Sequence, residues 1–338
     1  MSRSISQVPT LRRLARVYRR MLALIVPAAL ASCQGAADSL APDAAGDPSA
    51  PAAAPATEAV APSNLLGALA SDRIVFSDLM ANNGADLWTM GPAGGGLAHL
   101  TTFTGRESDP SWSSDHKRIA FTRVRNNYSD IYLMNADGTN KHWARSLTYA
   151  GNIDMPSWAP NGTHLLVRVM LQGFPCLGKI DLASGNLATV APAGTFAIAG
   201  SQPIYDPAGK TIFFVDYNQM AIKRFTPGGA LTTVLTASVY VGDLAISPDG
   251  TRLAYYKEVT PGNTEIHVLN LATKVTKRLT FSATGDWSPS WSPDGTKLAF
   301  TSYRSGKPQV WTMSSSTGGG LTRITSSTYG SASPAWTH

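Results

Sequence analysis

Histidine and carboxylate side chains are the residues here with chemistry to offer. His99, His116, His142, His164, His267 and His338 are scattered over the 338 residues without metal-ligand spacing, and the chain has neither a Gly-x-Ser-x-Gly elbow nor a paired-histidine motif. Among the acids, Glu107, Asp109, Asp154 and Asp286 fall in the connections between repeated units. A ring of such acids would attract a cation, but Asp109, Asp154 and Asp286 read as recurring at one repeat position, which shared loop geometry explains without a metal. Arg123, Arg125, Tyr128, Tyr303, Arg304 and Lys307 fall in polar connections between apolar runs. Aromatic, basic and acidic groups on one rim suit binding of a protein or a glycan. No catalytic residue, metal site or cofactor is assigned.

These residues are carried by an internal repeat. Its clearest copy is Pro289-Ser290-Trp291-Ser292-Pro293-Asp294-Gly295-Thr296-Lys297-Leu298-Ala299-Phe300, with weaker copies from Pro110, Pro156, Pro203 and Leu244 and a truncated one at Pro334-Ala335-Trp336. The aromatic or apolar position falls at Trp112, Trp158, Tyr205, Ile246, Trp291 and Trp336, at spacings of 46, 47, 41, 45 and 45. In Ser-Pro-Asp-Gly the proline presets φ, the aspartate bonds the local backbone and the glycine takes positive φ, so a tight hairpin is expected. Short β-forming runs follow, giving four strands per repeat. Residues 72–101 hold the second, third and fourth strands of a unit without its first, and Ser333-Pro334-Ala335-Trp336 supplies a lone first strand. The expected fold is all-β: a six-bladed β-propeller of four-stranded blades, closed by the C-terminal strand joining the N-terminal blade over residues 65–338. The tryptophans are expected to be repeat-core residues and not a sugar-stacking platform.

The formal charge of +6 is unevenly placed. Arg3, Arg12, Arg13, Arg16, Arg19 and Arg20 carry all of it, and the rest of the chain has 22 basic and 22 acidic residues. Residues 1–32 thus combine a basic start with an apolar run too short to span a bilayer, which reads as a signal peptide. Leu30-Ala31-Ser32-Cys33 resembles the lipobox of bacterial lipoproteins, which implies lipid attachment at Cys33 and membrane anchoring without a transmembrane helix. Residues 33–64 follow as an Ala/Pro-rich disordered tether with four acids and no base, reaching roughly 30 Å as a coil. Gln34 after the cysteine favours, by the same resemblance, the outer membrane facing the periplasm. The only other cysteine, Cys176, is expected to be a buried free thiol, since a bridge to Cys33 would pin the N-terminus to the domain.

The repeats resemble those of the TolB-type six-bladed propeller, in which PSWSPDGxxLAF and IYxMNxDGxNxxxLT recur; Leu133-Met134-Asn135-Ala136-Asp137-Gly138-Thr139-Asn140 matches the second. The resemblance covers about residues 64–338 and its motifs form turns and core, so it specifies fold more than activity. TolB itself carries an α/β domain before its propeller and is soluble in the periplasm, whereas a lipobox and tether stand in that place here. TolB's binding of the Pal lipoprotein is therefore not carried over. The resulting expectation is a monomeric, non-enzymatic binding or scaffold module with an envelope protein or glycan as partner. The alternative is a propeller hydrolase or polysaccharide lyase. The hydrolase kind needs a fused α/β-hydrolase domain, and the lyase kind a cluster of His and acidic metal ligands. A nucleic-acid partner is excluded, because the exported chain is formally neutral.

Overall fold

In the computed structural model, residues 72–337 are described apart from 146–151, 172, 193, 196 and 197. The signal peptide, Cys33, the tether and residues 65–71 lie outside the described residues. Every regular element described is a β-strand, as the short alternating runs require.

The strands form five sheets. Four are separate antiparallel sheets of four strands: β8 (Ile153–Trp158), β9 (His164–Leu171), β10 (Phe174–Asp181) and β11 (Leu187–Thr189); β12 (Ser201–Tyr205) to β15 (Thr232–Thr236) through β13 (Ile212–Asp216) and β14 (Ala221–Phe225); β16 (Val241–Ile246), β17 (Arg252–Thr260), β18 (Asn263–Asn270) and β19 (Thr276–Arg278); and β20 (Asp286–Trp291), β21 (Lys297–Ser302), β22 (Gln309–Ser314) and β23 (Thr322–Arg323). The fifth has eight strands. One half is β24 (Ser331–Trp336), β1 (Ile74–Leu79), β2 (Ala85–Met90) and β3 (Ala98–His99); the other is β4 (Arg106–Trp112), β5 (Arg118–Arg125), β6 (Tyr128–Asn135) and β7 (His142–Trp143). A single parallel pair, Ala85 with Arg106, joins the halves. The sheets are thus not the six separate ones that the repeat predicts, because β2 and β4 approach closely enough at that point to share a ladder rung.

The lone first strand goes where the repeat needs it. β24 pairs antiparallel with β1, with Ile74 opposite Trp336 and Asp78 opposite Ser331. The Ser-Pro-Asp-Gly hairpins form as expected: the Asp294 carboxylate accepts from the Ser292 hydroxyl at 2.6 Å and the Thr296 amide at 3.0 Å, and Gly295 takes φ 67°. Those bonds hold the Asp294 carboxyl down at about 2.

Three of the four tryptophans of the repeat tie their own inner strand to the preceding one through the indole N–H. The indole N–H of Trp112 donates to Ala335 O (3.1 Å), that of Trp158 to Ser111 O (2.9 Å) and that of Trp291 to Ala245 O (3.0 Å). The acceptor is always the residue just before the neighbour's own aromatic or apolar position. These rings are buried in the clusters between sheets, so they are core and staple together. One expectation fails: Cys176, fully buried within β10, is disulfide-bonded rather than a free thiol. Deep burial does not keep a thiol reduced where a second sulfur comes within bonding distance.

Trp336→Ala should cost about 3–5 kcal/mol, lowering Tm by roughly 10 °C, since it opens a cavity beside the closing pair. Thermal unfolding by circular dichroism reads this directly, with exposed Tyr329→Ala as the variant expected to leave Tm within about 2 °C.

Candidate functional site

The inner strands share a second device. Asp109, Met155, Gln202, Asp243, Ser288 and Ser333 all have φ between 50° and 55°, three residues before the aromatic or apolar position. Non-glycine residues seldom hold that conformation, and here each sits at a bulge that turns it inward. Together they line a channel waist of about 150 Å³. The Asp243 carboxylate accepts from Gln202 Nε2 at 2.6 Å and from the Ser288 amide and hydroxyl at 3.0 Å each. Burial pushes its carboxyl up to about 6, against the pull of those bonds. Asp109 is raised by burial and then by Asp154, with the Ser108 hydroxyl at 3.0 Å donating to it.

The acids singled out from sequence separate into three kinds. Asp109 belongs to the waist, sharing its repeat position with Asp243. Asp154 sits one residue earlier in its unit and is held by Arg168, whose Nε donates to Oδ1 at 2.7 Å. Glu107 and Asp286 sit five residues before Trp112 and Trp291 and are fully buried between sheets. The single repeat position expected for Asp109, Asp154 and Asp286 is therefore incorrect: the three occupy successive places along an alternating strand, and only some of those places face the channel.

Around Glu107 and Asp286 the Leu-Thr ending of each fourth strand explains itself. Thr101 accepts from the Leu87 amide (2.8 Å) and donates to Glu107 (3.2 Å); Thr280 accepts from the Ile266 amide (2.9 Å) and donates to Glu265. Thr325 accepts from the Val310 amide (2.8 Å) and donates to Gln309 (2.7 Å). Asp86, Glu265 and Gln309 hold equivalent positions, immediately before the residue whose amide the threonine caps. The neutral Gln309 is fully bonded. Where acids replace it, carboxyls crowd: Glu107 is pushed up to about 8 by burial and then by Asp86, and Glu265 and Asp286 are both raised by burial.

Cations offset part of this, and two of them were expected on the binding rim. Arg123 lies 3.9 Å from Glu107, with its guanidinium over Phe103 at 3.8 Å and Tyr132 at 5.1 Å. Arg304 bonds Asp286 at 2.8 Å and lies over Phe300 and Trp311. Both are largely buried by these contacts, so neither is presented to a partner. His99 bonds Asp86 at 2.7 Å and stacks on Trp88 at 4.1 Å, doing what Arg278 does for Glu265.

The remaining rim residues stay outside. Arg125 and Tyr128 flank the Asn126-Asn127 turn, whose two positive φ values make a tight hairpin; both are exposed. Tyr303 packs on Trp287 at 5.1 Å, and Lys307 bonds Thr328 O across the adjoining connection. Sequence reading missed three companions, Tyr240, Phe281 and Tyr329, in connections leading from one repeat to the next. With Tyr128 and Tyr303 they are 40–75 % exposed, and they make up all the strongly exposed aromatics among the described residues. All five stand at the same end of the strands. The exposed aliphatics Leu97, Leu231, Val275 and Leu321 stand at the other, in the hairpins before the fourth strands. Among the described residues, no group of three or more His, Cys, Asp or Glu is arranged to hold a metal.

Repeated four-stranded sheets about a shared channel, stapled at their inner strands, define a β-propeller. The chain belongs to the TolB beta propeller domain family, which it matches over residues 80–260 and 202–338. It is similar to the uncharacterized protein Atu1656 of Agrobacterium fabrum, 26% identical over 184 residues, 52% of this chain and 59% of that one. It also resembles a TolB homolog of Chlorobium luteolum, 30% identical over 201 residues, 59% of this chain and 35% of that one. The chain thus spans under two thirds of the length of either curated relative. Its fold is that of TolB from Acinetobacter baumannii, with a TM-score of 0.69 at 19% identity, covering 79% of this chain and 66% of that one.

A carboxyl raised by folding binds protons that the unfolded chain has released, so stability falls as pH rises from about 4.5 to about 8 for Glu107. Tm should drop by on the order of 5 °C between pH 5 and pH 8.5 in the wild type and by clearly less in Glu107→Gln. Equal drops in calorimetric scans would show that Glu107 is not the group responsible.

Proposed function

We propose that this chain is an exported, lipid-anchored propeller that binds an envelope protein or glycan through the end bearing the exposed aromatics, and that it performs no catalysis. The observation carrying this reading is the segregation of Tyr128, Tyr240, Phe281, Tyr303 and Tyr329 to one end, beside the exposed Arg125 and Lys307. Exposed rings with a few cations around them supply large contact area at low ordering cost. The propeller counts as six blades: the eight-stranded sheet divides at its one parallel pair, and the inner strands contact one another in the closed order β24, β4, β8, β12, β16, β20 and back to β24. A β-propeller of the TolB family is a suitable scaffold for such a role.

Anchoring through Cys33, export by residues 1–32 and spacing by residues 33–64 are supported by the lipobox resemblance and by composition. The chain has only two cysteines, and a sulfur that carries a lipid thioether cannot also form a disulfide. The lipidated chain of this reading therefore holds Cys176 as a thiol, and a disulfide-bonded Cys176 belongs to a chain without lipid at Cys33.

Two experiments test the reading. Labelling cells with a palmitate analogue should mark the wild type and not Cys33→Ala; an unlabelled wild type removes the anchor. Crosslinking in native envelopes should recover partners that the exposed-residue variant Arg125→Ala/Tyr128→Ala/Tyr303→Ala/Lys307→Ala loses by about tenfold or more. Arg123 and Arg304 are left intact, because removing them would strand buried acids. Undiminished recovery with the quadruple variant would refute this binding end.

A further inference from the structure

The end of the propeller away from the exposed aromatics has a character of its own. Leu97, Leu231, Val275 and Leu321 are 42–65 % exposed there, and each is the residue immediately before the fourth strand of its unit, β3, β15, β19 or β23. Lys141 and Asn186 hold the same place before β7 and β11. The aliphatic tips are thus spread around the periphery instead of gathered in one patch. Between them the channel opens in a half-enclosed mouth of about 340 Å³ walled by Trp158, Tyr205, Ile246 and Trp336.

Charge is segregated along the same axis. Residues 72–337 hold 22 basic and 18 acidic side chains; eleven and seven of them lie at this end, and eleven of each at the aromatic end, with Arg278 and Arg323, where their fourth strands finish, counted to the latter. The whole positive excess therefore belongs to this end. Its acids are also occupied locally: the carboxylates of Asp115, Asp137, Asp206, Asp249 and Asp294 accept from amides of their own hairpins at 2.7–3.1 Å. Lys117, Lys210, Lys274 and Lys297 stand exposed in or beside the hairpins of this end.

We propose that this end is a docking face for an anionic phospholipid bilayer, with Leu97, Leu231, Val275 and Leu321 entering the headgroup region and the exposed lysines facing lipid phosphates. Scattered aliphatic tips among lysines suit a fluid anionic surface, which demands no fixed complementary shape. A protein hot spot is built instead from clustered exposed rings, and those stand at the opposite end. The chain also enters the propeller here, where the Arg73 amide donates to the Thr337 hydroxyl at 3.1 Å beside Trp336. That agrees with an upstream anchor but does not depend on lipid at Cys33. Docked in this way, the propeller turns its aromatic end away from the bilayer.

The test uses the purified full chain with an environment-sensitive fluorescent amino acid in place of Leu231 or, as the control, of Tyr329. Vesicles of phosphatidylcholine and phosphatidylglycerol should shift the emission at position 231 to the blue, and brominated acyl chains should quench it, while position 329 stays unchanged. Because the readout is local, attachment through the basic leader or through lipid at Cys33 does not by itself produce it. No response at 231, an equal response at 329, or an equal response to phosphatidylcholine alone would overturn the proposal. A response to membrane-free envelope proteins but not to vesicles would assign the face to a protein and overturn it too. The variant Lys117→Gln/Lys210→Gln/Lys274→Gln/Lys297→Gln, changed only at exposed positions, should need about tenfold more vesicle for the same response at 231. An unchanged requirement would count against the lysines and overturn it as well.

Discussion

The pairing of β24 with β1 is the constraint on which the other sheets rest. It joins Asp78 to Ser331, 253 positions apart, and it is the least local contact the chain makes within a sheet. Without it β1 would be an open edge. Trp112 would also lose Ala335 as its acceptor, and with it the link that carries the stapling from the last inner strand to β4. Local hairpins form early and independently, but a ring closes only when its ends meet. The entropy of that long closure is offset by the whole seam of pairs and buried rings it completes.

Between the sheets a recurring threonine does a quieter job. By capping an amide of the third strand and donating to a buried side chain, Glu107 on the next inner strand for Thr101 and the residue just before the capped amide for Thr280 and Thr325, it makes these three outer strands part of the seam to their neighbours. Gln309 shows that a neutral group suffices there. Glu107, Glu265 and Asp286 make two seams sensitive to proton concentration, and Arg123, Arg278 and Arg304 are drawn inward as their counter-charges. The rim therefore loses cations that its sequence advertised. The exposed aromatics are left as the dominant character of that end.

How much of the site was legible follows from this. Arg123 and Arg304 look like loop residues in the sequence, because their positions lie at strand ends; only the packed seam shows that each guanidinium lies over a ring and against an acid. The positive-φ residues of the waist were hidden because Asp, Met, Gln and Ser share no side-chain chemistry. A signal was nevertheless present: five of the six precede Pro and Asp243 precedes Leu, all at a constant distance from the aromatic or apolar position. Tyr240, Phe281 and Tyr329 were overlooked because their connections vary in length from repeat to repeat, so no fixed spacing marks them.

By itself the sequence determined the repeat, its hairpins, the four-strand unit and the displaced first strand, since those depend on interactions within about a dozen residues: turn preferences, alternation and tight hydrogen bonds. Tertiary structure alone decided which acids face the channel and which are buried, which arginines remain available, and where β2 and β4 come close enough to fuse two sheets into one. Those outcomes depend on what lies opposite each residue across a seam. The opposing residue comes from a different repeat, brought there by the ring and invisible along the chain.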